Sequence, residues 1–155
     1  MPKVLVASDG SDFAIAAGRR GVSLLAPDSQ VAVITVVPPP SSTADRPESS
    51  IASGVVYPPR EGAGDERMAS GRADVDATVA ALGIEATGRV EQGDAGETIC
   101  EVAGTDGFEI VVVGSHGSGL LKRALLGSVS RYVLHNAPCP VLVVRDTGPE
   151  DGRTT

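Results

Sequence analysis

The sequence predicts a single α/β domain, built as a doubly wound, five-stranded parallel sheet. Three observations lead there. Short apolar, β-branched runs alternate with longer stretches of helical spacing. The chain has 155 residues, enough for one domain with a full core. Apolar residues make up 41% but aromatics only 3%, with no Trp. Such a core is built of Val, Leu, Ile and Ala, as suits parallel strands covered on both faces.

Each element follows in order. The run 3–8 is apolar and ends in Asp9-Gly10-Ser11, a turn signal, so it is the first strand. From 11 to 25, Ile15, Gly18, Val22 and Leu25 recur at three- and four-residue spacing, one face of a helix. Pro27-Asp28-Ser29 stops it, and 31–37 is the second strand. Pro38-Pro39-Pro40 opens a Pro/Ser/Gly-rich stretch without period, a long loop over 38–63. A helix over 65–82 is stopped by Gly83. The third strand is expected over 84–90. Gly93 to Gly96 opens the next helix, with Glu97 and Glu101 near its start. Ile110 to Val113 is the fourth strand, Ser128 to His135 a short helix, and Val141 to Val144 the last strand. The domain is expected to span 1–146, with 147–155 a frayed tail.

The same bulk numbers exclude function classes. A net charge of -7 argues against a surface given over to nucleic acid or anionic membranes. The scarcity of aromatics argues against base-stacking platforms. The first apolar run is too short for a membrane span, and nothing near Met1 resembles a signal peptide. Cys100 and Cys139 form no CxxC pair, which fits reduced thiols and a cytoplasmic location. Two His and no Cys cluster do not make a zinc site.

In a doubly wound sheet, ligands bind beyond the carboxyl ends of the strands, where strand order reverses. Asp9, Val36 and Gly114 all fall at such ends. After Gly114 come Gly117, Gly119 and Gly127-Ser128, the last opening a helix. Glycine allows close backbone approach, and successive free N–H groups can cradle a phosphate. The helix start adds unpaired N–H groups and the positive end of a dipole. The hydroxyls of Ser128 and Ser130 are further donors. From Ile110 to Arg145 there is no Asp or Glu, although the chain carries 20 acidic residues, while Lys122, Arg123, Arg131 and Arg145 lie in that span. The zone suits a polyphosphate. There is no G-x-x-x-x-G-K-[ST], which excludes a P-loop ATPase. The first turn, Ser8-Asp9-Gly10-Ser11, is not the G-x-G-x-x-G of a dinucleotide enzyme.

Gly114-x2-Gly117-x9-Gly127-Ser128 resembles the G-2x-G-9x-G-(S/T) signature of ATP-binding universal stress proteins. The similarity extends to Val4 through Ser11 and to Ala137 through Val144, the opening and closing segments of that family. The resemblance implies a Rossmann-like fold of the adenine nucleotide alpha-hydrolase type. It implies that Asp9, beside Ala7 and Ser8, reaches the adenosine part and that Val36 lines the adenine pocket. Gly114, His116 and Gly117 would approach the ribose and phosphates, and Gly127, Ser128, Val129 and Ser130 would complete the phosphate loop. It also implies ATP accompanied by Mg²⁺, and a homodimer formed through Val141–Val144. That apolar strand is expected at a sheet edge, where a partner strand can add. His116 stands where the family commonly has Arg, and Arg131 where it commonly has an acidic residue. A neutral His weakens phosphate binding near neutral pH.

Read as a single residue, Asp9 has three roles open to it: a ligand contact, a metal contact through bound nucleotide, or an N-cap for the following helix. No catalytic residue is assigned, because no base is placed to activate water. Three functions remain open on the sequence: a nucleotide-dependent stress-response or regulatory module with slow or no hydrolysis, a weak ATPase or nucleotidyl-transfer enzyme, and a nucleotide-free dimeric signalling module.

Overall fold

A computed structural model of the chain describes residues 1–40, 61–116 and 126–145. Five strands and four helices alternate: β1 (Lys3–Ala7), α1 (Asp12–Ser23), β2 (Gln30–Val37), α2 (Ala63–Leu82), β3 (Ala86–Gln92), α3 (Ala95–Thr105), β4 (Ile110–Gly114), α4 (Ser128–Asn136) and β5 (Val141–Val144). The strands form one sheet in the order β3-β2-β1-β4-β5, every pair parallel. The fold is the five-stranded, doubly wound one that the sequence predicts. The long loop over 38–63 falls mostly within 41–60, and the tail over 147–155 entirely, outside the described residues.

Alternation along the strands divides the core in two. Val4 and Val6 of β1, Val31 and Val33 of β2 and Val112 of β4 face α1 and α2, meeting Ala17 and Val75. Leu5, Ala32, Ile34, Val111 and Val113 face the other way, onto Ile99, Val102 and Ala103 of α3 and Val133 of α4. Both faces are thus covered, and strands read as continuous apolar runs rather than alternating ones. Cys100 and Cys139 are free thiols packed against the second cluster, where burial pushes both above the usual thiol range.

Two local readings differ from the sequence expectation. The fully buried residues of α1 are Ala14, Ala17, Gly18 and Gly21; of the expected row Gly18 is fully buried, Val22 and Leu25 pack partly buried against the core, and Ile15 is half-buried. The helix lies close against β1 and β4, and only small side chains fit between: a Cβ built on Gly18 would lie 3.0 Å from Val6 Cγ1. β3 runs two residues later than expected at both ends. Gly83 ends α2 with φ 65°, Ile84 is left 42% exposed, and pairing with β2 begins only at Ala86, opposite Val31.

Candidate functional site

The chain winds from β1 outward to β2 and β3, then returns to β4 and β5 on the other side. Strand order therefore reverses between β1 and β4. A cavity of about 440 Å³ opens at their carboxyl ends. That volume falls within the range of small-molecule sites.

Its walls combine two chemistries. Ile34 and Val36 of β2, Val113 of β4 and Ile99 of α3 supply an apolar wall. Ala7, Ser8 and Asp9 border it at the end of β1. Gly114 and His116 follow β4, and Gly127, Ser128, Val129 and Ser130 form the start of α4. Of the residues singled out in the sequence, Ala7, Ser8, Asp9, Val36, Gly114, His116 and Gly127 to Ser130 line this cavity; Gly117, Gly119, Lys122 and Arg123 lie outside the described residues, and Arg131 and Arg145 do not border it. Sequence reasoning missed Ala14, Ile34, Ala95, Ile99 and Val113. The start of a helix after β3 was legible, but nothing in its residues marks it as facing the β1–β4 gap.

The helix N-termini differ in how they are closed. Ser11 caps α1, its side chain accepting from Ala14 N–H, and Asp12 adds a carboxylate to the first turn. Asp94 caps α3, accepting from Glu97 N–H, with Glu97 in the first turn. α2 has no side-chain cap but carries Asp65 and Glu66 in its first turn. α4 has neither: Gly127 offers no side chain and the first turn holds no acid. Its first residues border the cavity, and its first turn brings no carboxylate there. Such a terminus favours an anion.

Ser130 ties this terminus to the sheet. It is 4% exposed, and its hydroxyl donates to the Gly114 carbonyl. Its proton is therefore committed, leaving Ser128, which is exposed, as the hydroxyl donor of that turn. Gly127 N–H donates to the Ser115 carbonyl (2.7 Å), closing the other side. His116 pairs through Nδ1 with Ser115 Oγ (3.1 Å), and its ring lies 4.8 Å from that of Phe13.

Asp9 is not the cap of α1; Ser11 holds that position. Asp9 Oδ1 instead accepts from Ser11 N–H (3.0 Å), a turn within the chain's own backbone. Gly10 has φ 78°, and Asp74 of α2 packs directly over it. Burial, and then the nearby Asp9 carboxylate, push the Asp74 carboxyl above the usual range. Among the described residues no group of three or more His, Cys, Asp or Glu is arranged to hold a metal. No helix among them is long and apolar enough to cross a membrane.

Comparisons with known proteins bear on the family and the fold. Slr1101 of Synechocystis is 45% identical over 64 residues, which are 41% of this chain and 59% of that protein. YxiE of Bacillus subtilis is 30% identical over 150 residues, covering 92% of this chain and 98% of YxiE. A universal stress protein solved in complex with cAMP superposes with a TM-score of 0.60 at 26% identity, covering 93% of this chain and 97% of that one. The model of the universal stress protein family matches residues 1–145, and the chain belongs to that family.

Proposed function

We propose that this chain is an ATP-binding universal stress protein, a cytoplasmic stress-response or regulatory module whose state follows a bound adenine nucleotide. The observation that carries the reading is the open N-terminus of α4, set against an apolar cleft at the strand switch point. A nucleotide has the same polarity, an apolar base joined to an anionic chain. The base lies along Val36 and Ile34, Asp9 with Ala7 and Ser8 borders the ribose, and Gly114, His116 and Gly127 to Ser130 receive the phosphates. Gly117 belongs to the same phosphate loop. The relative solved with cAMP binds a ligand of this class. Mg²⁺ travels with the phosphates rather than being held by a protein cluster.

Turnover is slow or absent. Asp9 and His116 are the ionisable side chains among the described lining residues. Asp9 is engaged with the Ser11 amide and His116 with Ser115. Neither is posed to take a proton from water attacking a phosphate. The module acts as a homodimer joined along β5, the edge strand at which Val141, Leu142 and Val143 are only partly buried.

The test is mass spectrometry of ligand released from protein purified without added nucleotide, with calorimetry of ATP binding to the emptied protein. Adenine nucleotide is expected, and Gly127→Val is expected to lose it. No ATP binding by the wild type removes the reading. A Gly127→Val protein that keeps the ligand moves the phosphates away from α4.

A further inference from the structure

Among the described residues the buried polar side chains are Ser8, Thr35, Thr78 and Ser130. All four lie at the carboxyl ends of β1 and β4 or bond directly to a residue there. The rest of the buried core is aliphatic. Burying a hydroxyl is costly unless it is hydrogen-bonded, so this concentration at one end of the sheet calls for a reason.

The protons can be assigned. Thr78 has one hydroxyl hydrogen, and it goes to the Asp74 carbonyl one turn back on α2 (2.8 Å). By itself that is an ordinary helical back-bond. Thr78 Oγ1 also lies 2.9 Å from Ser8 Oγ, and with its own proton spent it can only accept there. Ser8 is therefore the donor. Ser8 Oγ, its proton given to Thr78, still accepts, and it does so from Gly10 N–H (3.1 Å). The result is a one-way chain from the Gly10 amide through Ser8 and Thr78 into α2. Bonds in such a chain polarise one another in the same sense. Thr35 adds a second anchor from β2, its hydroxyl donating to the Ser8 carbonyl (2.8 Å). Ser8 is thus held at its carbonyl by β2 and at its hydroxyl by α2, and the next residue is Asp9.

We propose that Thr78 and Thr35, neither of which borders the cavity, are positioning residues for the ligand site: they fix the Ser8–Gly10 turn and so the placement of Asp9. The inference rests on the nucleotide reading above. It makes affinity depend on α2, a helix that lends no lining residue to the site.

The experiment compares wild type, Thr78→Val and Thr78→Ser, using calorimetry with AMP and with adenosine, and amide exchange of Gly10 by NMR. Val keeps the shape of Thr but removes the acceptor from Ser8; Ser keeps the acceptor and removes a methyl group. Thr78→Val is expected to weaken AMP and adenosine alike, by roughly tenfold, because the phosphate end at α4 is tied separately through Ser130. Gly10 exchange should quicken by a similar factor. Thr78→Ser should stay within about twofold of wild type. Unchanged affinity in Thr78→Val overturns the proposal, and so do equal losses in the Val and Ser variants, which would mark a packing role. Should Thr78→Val fail to fold, Thr35→Val carries the same expectation. Exchange of Gly10 in the wild type alone is also decisive, since an amide as fast as an exposed loop amide overturns the chain. A wild type that binds neither ligand while Gly10 is protected brings down the nucleotide reading and the positioning role together, yet leaves the chain itself standing.

Discussion

Replacing glycine by alanine in two helices is expected to give opposite signs, and the distances decide which. Gly71 lies mid-helix in α2, buried over β2 and β3. A Cβ built there would sit 2.7 Å from Val37 Cγ1 and 2.8 Å from Val90 Cγ1. Carbon atoms rest about 3.5–4.0 Å apart, so both contacts are short by roughly 0.8 Å. Neither valine can withdraw easily: each is β-branched and held in a paired strand, Val37 opposite Gln92 and Val90 opposite Thr35. Overpacking of this kind costs about 1–3 kcal/mol, whereas Gly→Ala in a helix gains about 0.5–1 kcal/mol. The steric term wins, and Gly71→Ala should lose about 1–2 kcal/mol, or about 2–8 °C in Tm for a chain of this size. Gly104 in α3 is exposed, and its Cβ would meet Pro138 Cγ at 3.4 Å, an ordinary contact. There the propensity wins, and Gly104→Ala should gain up to about 0.5 kcal/mol. Urea and thermal unfolding by circular dichroism measure both. A Gly71→Ala protein as stable as wild type would mean that α2 stands farther from the sheet than these distances say. Equal losses at both sites would mean that the contacts do not set the sign.

Two further outcomes follow from the same structure. The Asp74 carboxyl is raised by burial and by Asp9, so its contribution to stability is most favourable below the ordinary value of 3.8 and is lost as pH rises through its folded value; Asp74→Asn should therefore raise Tm at pH 7 with a gain that fades toward pH 3, and a gain independent of pH would assign the effect to packing. On the proposed β5 dimer, Val143→Lys should give a folded monomer by circular dichroism and light scattering where the wild type is expected to scatter as a dimer; a wild type that is monomeric removes the dimer, and a dimeric variant removes β5 from the interface.

The fold was legible because its signals are local and redundant. Val111 to Val113 is a run of three valines buried between two helical layers, and Gly83 stops α2 in the left-handed conformation that its sequence position suggests. What was not legible is distance between elements. The spacing of Ile15, Gly18, Val22 and Leu25 identified a helix and part of its buried face, Gly18, Val22 and Leu25, but not the small residues at its closest approach, because apolarity says which residues prefer the core and not how closely the helix approaches. The small residues Ala14, Ala17 and Gly21 carry that information only once the neighbouring strand is known. For the same reason Ile84 was counted into β3, although register with β2 excludes it.

The site divides along the same line. Gly114, Gly127 and Ser128 announce themselves by spacing within one segment, and the absence of acids around them can be read directly. The network beneath Ser8 cannot, for its members are 27 and 70 residues away along the chain. Nothing about an isolated Thr in an Ala-rich helix distinguishes Thr78 from a surface residue, yet it is fully buried. The contrast among helix starts is intermediate. Ser11 and Asp94 are residue types that cap helices, yet the sequence offered Asp9 for α1 and no cap for α3; the turn geometry decides. Only the strand order brings those closed termini and the open one of α4 around a single cavity. An anion entering there meets two helix starts already supplied with carboxylates and one that is not. On the proposed nucleotide reading, where the charge of the ligand settles is then set partly by what α1 and α3 withhold, which no motif confined to 114–128 could express.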